Sequence, residues 1–449
     1  MAQPDMAALN RDRPATARIE ALGELVHGAA RVGRFRLGNG LRVLIWEDRR
    51  APVFSYQTWF AVGSRVEVAG KSGIAHLFEH LMFKATRNLA EGEFDAIMER
   101  RGAETNAATW VDWTYYKEKL PSGDGNLELC CKLEADRMEN MILDAHQLES
   151  EREVVINERL LRVDNDPDGR LFEALYRLAY QEHPYGVPTI GWMEDIRAIS
   201  LEDCLTFYER YYAPNSAAVV IVGDVDTIDA LQLIQKYYGH LEAQELPAES
   251  LGVEPAQTAE RRESFDLPIS SEKGLYAWHG MAGNDPEQAA LEVLDEVLTG
   301  GESARLHERL VTETELASQV GGMAVAWRHP GLYELAITMR PGRALAEAEA
   351  ILDEELARLR DEGPTERELE KAKNGLEAAF LREIASTGSR ARGLGDAEVT
   401  FEDASFFFEQ MPRLAAVTAE DVKRVARRVL RDDNRTVVIG RPRPEEAAA

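Results

Sequence analysis

Ala217-Ala-Val-Val-Ile-Val-Gly223 and Arg435-Thr-Val-Val-Ile-Gly440 are two short apolar runs that end on glycine, one in each half of the chain. Each is too short for a helix and lacks polar alternation, so each reads as a strand buried on both faces. The elements before them recur in the same order. Ser55-Tyr-Gln-Thr-Trp-Phe60 and Gly274-Leu-Tyr-Ala-Trp-His279 read as strands, followed by helical patterns over Gly73 to Lys84 and Pro286 to Thr299. Extended stretches come next, at 104–120 in the first half and at 318–327 and 331–340 in the second. Paired long helical patterns then cover about 125–143 and 147–163, and 343–361 and 365–386. This repetition predicts a duplicated α+β domain. Residue identity between the halves is low, which leaves two unrelated α+β domains as the alternative.

The chain has 449 residues, a length that suits two domains of about 200 residues each. Ala243 to Ala259 (AQELPAESLGVEPAQTA) carries two prolines and many acids without periodicity, the signature of a linker. The expected organisation is an N-terminal arm over 1–30, a first domain over 31–242, a linker over 243–261, a second domain over 262–443 and a tail over 444–449. The first domain opens on a hairpin turning at Gly38-Asn39-Gly40.

Apolar residues make up 45% and charged residues 29%, so disorder and a membrane bundle are excluded as the main architecture. The formal net charge is −27. A surface this acidic is a poor general binder of nucleic acid or anionic membrane, and could draw basic peptides. Cys130, Cys131 and Cys204 are odd in number and two are adjacent, which argues against a disulfide framework. With no secretory pattern at the start, a cytoplasmic location is expected.

Chemistry concentrates in His76-Leu-Phe-Glu79-His80. On a helix, residues four apart share a face, so both imidazoles can meet one ion, with Glu79 on the adjoining part of that face. Two neutral imidazoles and a carboxylate make a zinc set that leaves a position open for water. Zinc lowers the pKa of that water to about 7, and a carboxylate beside the metal can take its proton as general base. Glu79 is the candidate base. The order is the inverted one, H-x-x-E-H. A third ligand must come from another element. In Glu149-Ser-Glu151-Arg-Glu153-Val-Val-Ile-Asn-Glu158, Glu151 and Glu158 are seven apart and share a helix face, while Glu153 points elsewhere. Either could bind the metal, with the other supporting a ligand.

The stretch Gly73-Ile-Ala-His76-Leu-Phe-Glu79-His80-Leu-Met-Phe resembles the active-site helix of the pitrilysin/insulinase family, which includes mitochondrial processing peptidase. Glu151-Arg-Glu-Val-Val-Ile-Asn-Glu158 resembles the family's E-R-x-x-V-x-x-E run. The resemblance implies that Glu158 is the third zinc ligand, beside His76 and His80, and that Glu151 is a supporting carboxylate of the catalytic set. It implies one Zn2+ per chain. Gly102-Ala-Glu-Thr-Asn106-Ala107-Ala-Thr109-Trp-Val-Asp112 resembles the segment that, in the family, is an edge strand beside the metal and pairs with the peptide substrate. Asn106 and Ala107 are therefore expected to bind substrate. His183-Pro-Tyr-Gly186, with Gly191 after it, also resembles the family and reads as structural. The architecture the resemblance implies is two homologous α/β-roll domains, each a mixed, mostly antiparallel sheet flanked by helices, clam-like once two such chains pair, with unfolded peptides cleaved inside a closed chamber.

The sequence departs from the family at one place. Many active members carry an Arg and a Tyr seven residues apart, which bind substrate and stabilise the charged transition state. The matching positions here are Val311 and Ser318, and neither can donate in that way. A heterodimer with a homologous subunit that lacks H-x-x-E-H but supplies the Arg/Tyr pair is the expected assembly, with a homodimer as the rival. The function expected is a zinc endopeptidase. The alternative is a non-catalytic structural or peptide-binding subunit on the same fold.

Overall fold

The run Ala217–Gly223 is buried at every position and lies in the middle of a seven-stranded sheet. This is seen in a computed structural model of the protein, which describes residues 5–247 and 251–443. The strands are β1 Ile19–His27, β2 Ala30–Leu37, β3 Arg42–Glu47, β4 Val53–Phe60, β5 Glu104–Thr109, β6 Thr114–Pro121, β7 Ala217–Gly223, β8 Arg261–Leu267, β9 Lys273–His279, β10 Ala317–Ala324, β11 Leu332–Met339 and β12 Arg435–Pro442. The first sheet has the order β1-β2-β3-β7-β4-β6-β5 and the second β10-β11-β9-β12-β8. Read from the β5 and β10 edges, β5-β6-β4-β7-β3 of the larger sheet matches the whole of the smaller one, and β2 and β1 extend the larger sheet beyond it. In each, one pair is parallel, β3 with β7 and β8 with β12, and the remaining pairs are antiparallel. The duplication expected from Ala217–Gly223 and Arg435–Gly440 is thus a duplication of topology and register, in two sheet-plus-helix domains.

The first unit comprises residues up to Asn157, Pro188–Leu251 and Glu383–Phe408; the second comprises Glu158–Val187, Gly252–Arg382 and the residues from Glu409 on. The junction near 251 falls within the expected linker. The other junctions arise because each sheet takes a helix from the other half of the sequence. Helix Thr387–Thr400 packs on β4 and β7, while helix Pro167–Ala179 packs on β12, β9 and β8. This accounts for the absence of polar alternation in β7: a strand covered on both faces has no solvent side. Gly395 marks the closest approach, since a Cβ there would lie 2.2 Å from Trp59 Nε1 on β4.

One expectation is corrected. Residues 1–30 do not form an arm throughout. Ile19–His27 is β1, antiparallel to β2 with a bulge between Ala21 and Gly23. The Asn10 side chain ties down its start, with Oδ1 accepting from Ile19 N and Nδ2 donating to Ile19 O, each at 2.8 Å. β1 is an edge strand exposed along most of its length. Main-chain pairing holds it, so it leaves little apolar pattern in the sequence. The tail expected at 444–449 lies outside the described residues. Cys130, Cys131 and Cys204 are buried in the first core. Among the described residues, no helix is long and apolar enough to cross a membrane.

Candidate active site

The motif His76–His80 sits on helix Ile74–Leu81. Ile74, Ala75, Leu77, Phe78 and Leu81 face the core, which turns His76, Glu79 and His80 to the half-exposed side. The helix starts without a side-chain cap of its own. Glu67 serves instead, accepting from Gly73 N and Ala75 N, both at 2.9 Å. Burial pushes the Glu67 carboxyl up to about 8, against the downward pull of those two donors. Gly73 has φ +87°, and a Cβ on it would meet Ile190 O at 2.5 Å. Gly191 reciprocates, since its Cβ would lie 2.6 Å from Gly73 Cα. Two backbones cross where only glycines fit, and this fixes the entry of the helix.

The rings of His76 and His80 lie 4.9 Å apart between centroids, nearly perpendicular at 79°. Helix Ala145–Arg159 carries Glu151 and, in its last turn, Glu158. One ligand atom each from His76, His80 and Glu158 lies within 4.8 Å of the other two. Two donors on a tetrahedral zinc stand roughly 3.3 Å apart, given bonds of about 2.0–2.1 Å, so small side-chain rotations suffice to close the set on an ion. Two imidazoles and one carboxylate, half-buried, are a chemically fitting set for zinc with a position to spare. Glu158 Oε1 meanwhile meets the exposed Arg162 at 3.1 Å. Glu153 is exposed, as its position on the helix predicts.

Glu151 does not join the three. Its Oε2 lies 3.2 Å from His80 Nδ1 and its Oε1 2.6 Å from Lys84 Nζ. An ionised carboxylate only accepts, so the His80 proton belongs on Nδ1 and the Nε2 lone pair is left for a metal. Burial pushes the Glu151 carboxyl up, but hydrogen bonds from His80 and Lys84 outweigh it and hold it below the ordinary range.

Glu79 is met from β5. Thr109 Oγ1 donates to Glu79 Oε2 at 2.6 Å. Thr109 opposes Thr114, whose hydroxyl bonds Val62 O at 2.8 Å. β5 is the outermost strand at its end of the sheet, beside the His76–His80 helix. Asn106, paired with Lys117, is exposed there, and Ala107, paired with Tyr116, is half-buried against the core. Asn106 and Ala107 thus point to opposite faces of that edge. Asp112, closing the same segment, pairs with the buried Arg65 at 2.8 Å. His183 is buried, its Nδ1 accepting from Tyr185 N at 3.2 Å.

At the expected Arg/Tyr positions, Val311 packs against the second core, and Ser318 donates to Thr338 O at 3.2 Å. The neighbouring Arg309 is engaged by Glu355 at 2.8 Å and Glu354 at 3.0 Å. The supporting parts that sequence reasoning did not assign are Thr109, Lys84 and Glu67. Thr109 lay within a segment already singled out, and Lys84 lies just past the end of the helix that carries His80. Glu67 carried no local signal, because its role depends on a cap formed across a loop.

A duplicated sheet-and-helix chain with H-x-x-E-H on a helix beside the first sheet is the arrangement that the resemblance to the pitrilysin/insulinase family implies. The comparisons bear on that family membership. Residues 42–192 match the family Insulinase (Peptidase family M16), and residues 198–376 match the Peptidase M16 inactive domain. The zinc protease PqqE of Helicobacter pylori is 32% identical over 419 residues, covering 90% of this chain and 92% of that protein. A probable mitochondrial-processing peptidase subunit beta of Schizosaccharomyces pombe is 27% identical, covering 88% of each. Among solved structures, a protease from Helicobacter pylori superposes with a TM-score of 0.86 at 31% identity, covering 92% of this chain and 100% of that one. An M16 inactive-domain protein of Pseudomonas fluorescens has the same fold, with a TM-score of 0.83 at 21% identity. The chain belongs to peptidase family M16.

Proposed function

We propose that the chain is a zinc-dependent endopeptidase whose metal is held by His76, His80 and Glu158, one ion per chain. The observation that carries this reading is the convergence of those three donors beside a fourth group, Glu79, that is held apart from them by Thr109. Zinc at such a set supplies polarisation of a peptide carbonyl and acidification of a water. Glu79 takes the proton of the attacking water and returns it to the leaving amine. Thr109 keeps one oxygen of Glu79 engaged and so fixes the direction of the other. Glu151 fixes the His80 ring and its tautomer. An extended peptide adds to the open edge of β5 at Asn106 and Ala107, with main-chain bonds that tolerate many sequences.

Val311 and Ser318 leave the chain without the expected donors for the transition-state charge, and Arg309 is occupied by two glutamates. This supports a second, homologous subunit that contributes an Arg/Tyr pair, two chains together enclosing unfolded peptides in a clam-like chamber. The test is hydrolysis of a mixed set of quenched peptides by the purified chain, with zinc quantified in the same sample. Zinc near one per chain without cleavage, and cleavage on adding the partner, is the expected result. Cleavage by the chain alone would remove the partner requirement. In the active assembly, Glu79→Gln keeps zinc and loses about 10²–10⁴ in kcat; near-normal turnover would overturn the role of Glu79. A non-catalytic subunit, the second reading, need not hold stoichiometric zinc.

A further inference from the structure

We propose that Lys84 is a positioning residue for the metal centre, acting through Glu151 on His80; this rests on the zinc reading above. Glu151 has two carboxylate oxygens, and each has its own partner. Oε2 faces His80 Nδ1 at 3.2 Å, and Oε1 faces Lys84 Nζ at 2.6 Å. Lys84 Nζ also reaches Glu91 Oε1 at 2.8 Å. The result is a line of alternating charge, Glu91, Lys84, Glu151, that ends on the neutral imidazole of His80 facing the metal set.

Two features make the line more than a surface ion pair. The side chains of Lys84 and Glu151 are only 16% and 9% exposed, so water cannot readily replace either partner. The segment that carries Lys84 and Glu91 is also anchored. Thr86 and Asn88 both hydrogen-bond Asp136, Arg87 N donates to Asn140 O at 2.8 Å, and Ile142 N donates to Ala85 O at 3.0 Å. Helix Asn126–Asn140, which supplies Asp136 and Asn140, therefore fixes where the Lys84 backbone lies.

Lys84 holds the carboxylate plane of Glu151 so that one oxygen meets Nδ1 of His80. Remove the ammonium and Oε1 is left in a poorly hydrated place without its cation. Glu151 then rotates to find another donor, and His80 loses the acceptor that selects its tautomer. Loss of such a supporting group weakens metal binding by about 10–100-fold. Glu91 is 51% exposed and acts at the far end of the line, where solvent screens it.

The experiment is equilibrium competition for zinc between the full chain and a chromogenic chelator, which needs no peptidase activity. Lys84→Met is expected to weaken zinc binding about 10-fold or more. Lys84→Arg, which keeps a cation on a long stem, is expected to restore most of that affinity, and Glu91→Gln to change it less than about 3-fold. Thermal melts of the metal-free proteins separate this from misfolding: the rescue by Lys84→Arg must occur at equal metal-free stability. Zinc held equally by wild type and Lys84→Met would overturn the positioning role alone. A wild type that holds no zinc would overturn the metal reading and this proposal with it.

Discussion

Thr109 on the edge strand β5 gives its hydroxyl proton to Glu79 Oε2 at 2.6 Å, so the strand expected to receive substrate also aims the group expected to move the proton. A hydrogen bond to a carboxylate is worth about 1.5–3 kcal/mol. Only the part that fixes direction is lost from the transition state when it is removed. Thr109→Val, which keeps the branched shape, is expected to lower kcat about 10-fold with zinc content unchanged. Thr109→Ser, which keeps the hydroxyl, should stay within about 3-fold of wild type. Steady-state kinetics and metal analysis on the active assembly check this. An unchanged kcat in Thr109→Val would show that Glu79 is oriented by other means.

The distance between what was legible and what was not follows from range. His76, Glu79 and His80 form a short helical pattern, whereas spacing within one other helix left Glu151 and Glu158 both open, and only the family resemblance singled out Glu158. The sheets were legible because β7 and β12 are covered on both faces and carry that burial as apolar runs. What stayed hidden depends on contacts distant in sequence. Helix Pro167–Ala179 has an ordinary amphipathic pattern and helix Thr387–Thr400 only a weak one, with Arg390 and Glu398 among its buried residues, and nothing in either names the sheet that will cover it. β1 is specified by hydrogen bonds to β2 rather than by its side chains. Lys84 reads as one more surface lysine until Glu151, far along the chain, is brought to it.

Removing the third ligand should separate metal binding from folding. A ligand that binds only the folded state at 100 times its Kd adds about 2.7 kcal/mol of stability. Thermal melts with and without a strong chelator are expected to differ for the wild type and to coincide for Glu158→Gln. The same chelator should abolish peptide cleavage by the active assembly, and added zinc should restore it. A melt of Glu158→Gln that still responds to the chelator would place the third ligand elsewhere.

Gly395 gives a test of the helix exchange. A methyl group there would lie 2.2 Å from Trp59 Nε1 and 2.3 Å from Trp59 Cε2, and Trp59 is fully buried. An alanine gains up to about 1 kcal/mol of helix propensity over glycine, but overpacking a filled core costs about 1–3 kcal/mol. The clash should win, because the nearest atoms belong to a rigid indole stacked on Tyr115 at 4.3 Å. Gly395→Ala is expected to lower the urea midpoint, with a change in Trp fluorescence. A midpoint equal to or above wild type would mean the helix can lift from β4 without cost.

Glu334 on β11 gives the pH dependence a sign. Burial pushes its carboxyl from the ordinary range up to about 7, while the Tyr176 hydroxyl, which donates to Glu334 Oε1, pulls it down. The folded state therefore holds this proton more tightly than the unfolded chain does. Its contribution to stability is fully present below the unfolded value of 4.5 and is lost as the pH rises through about 7. Glu334→Gln keeps an oxygen for Tyr176 and removes the titration. The variant should match wild type near pH 4.5 and exceed it at pH 8, by on the order of 3 kcal/mol. Denaturant melts of both proteins across that range isolate this one group, since every other titration is common to the pair. A difference that stays constant with pH would mean that Glu334 is ionised at the same pH in the folded and unfolded chain, and that Tyr176 rather than burial sets its charge.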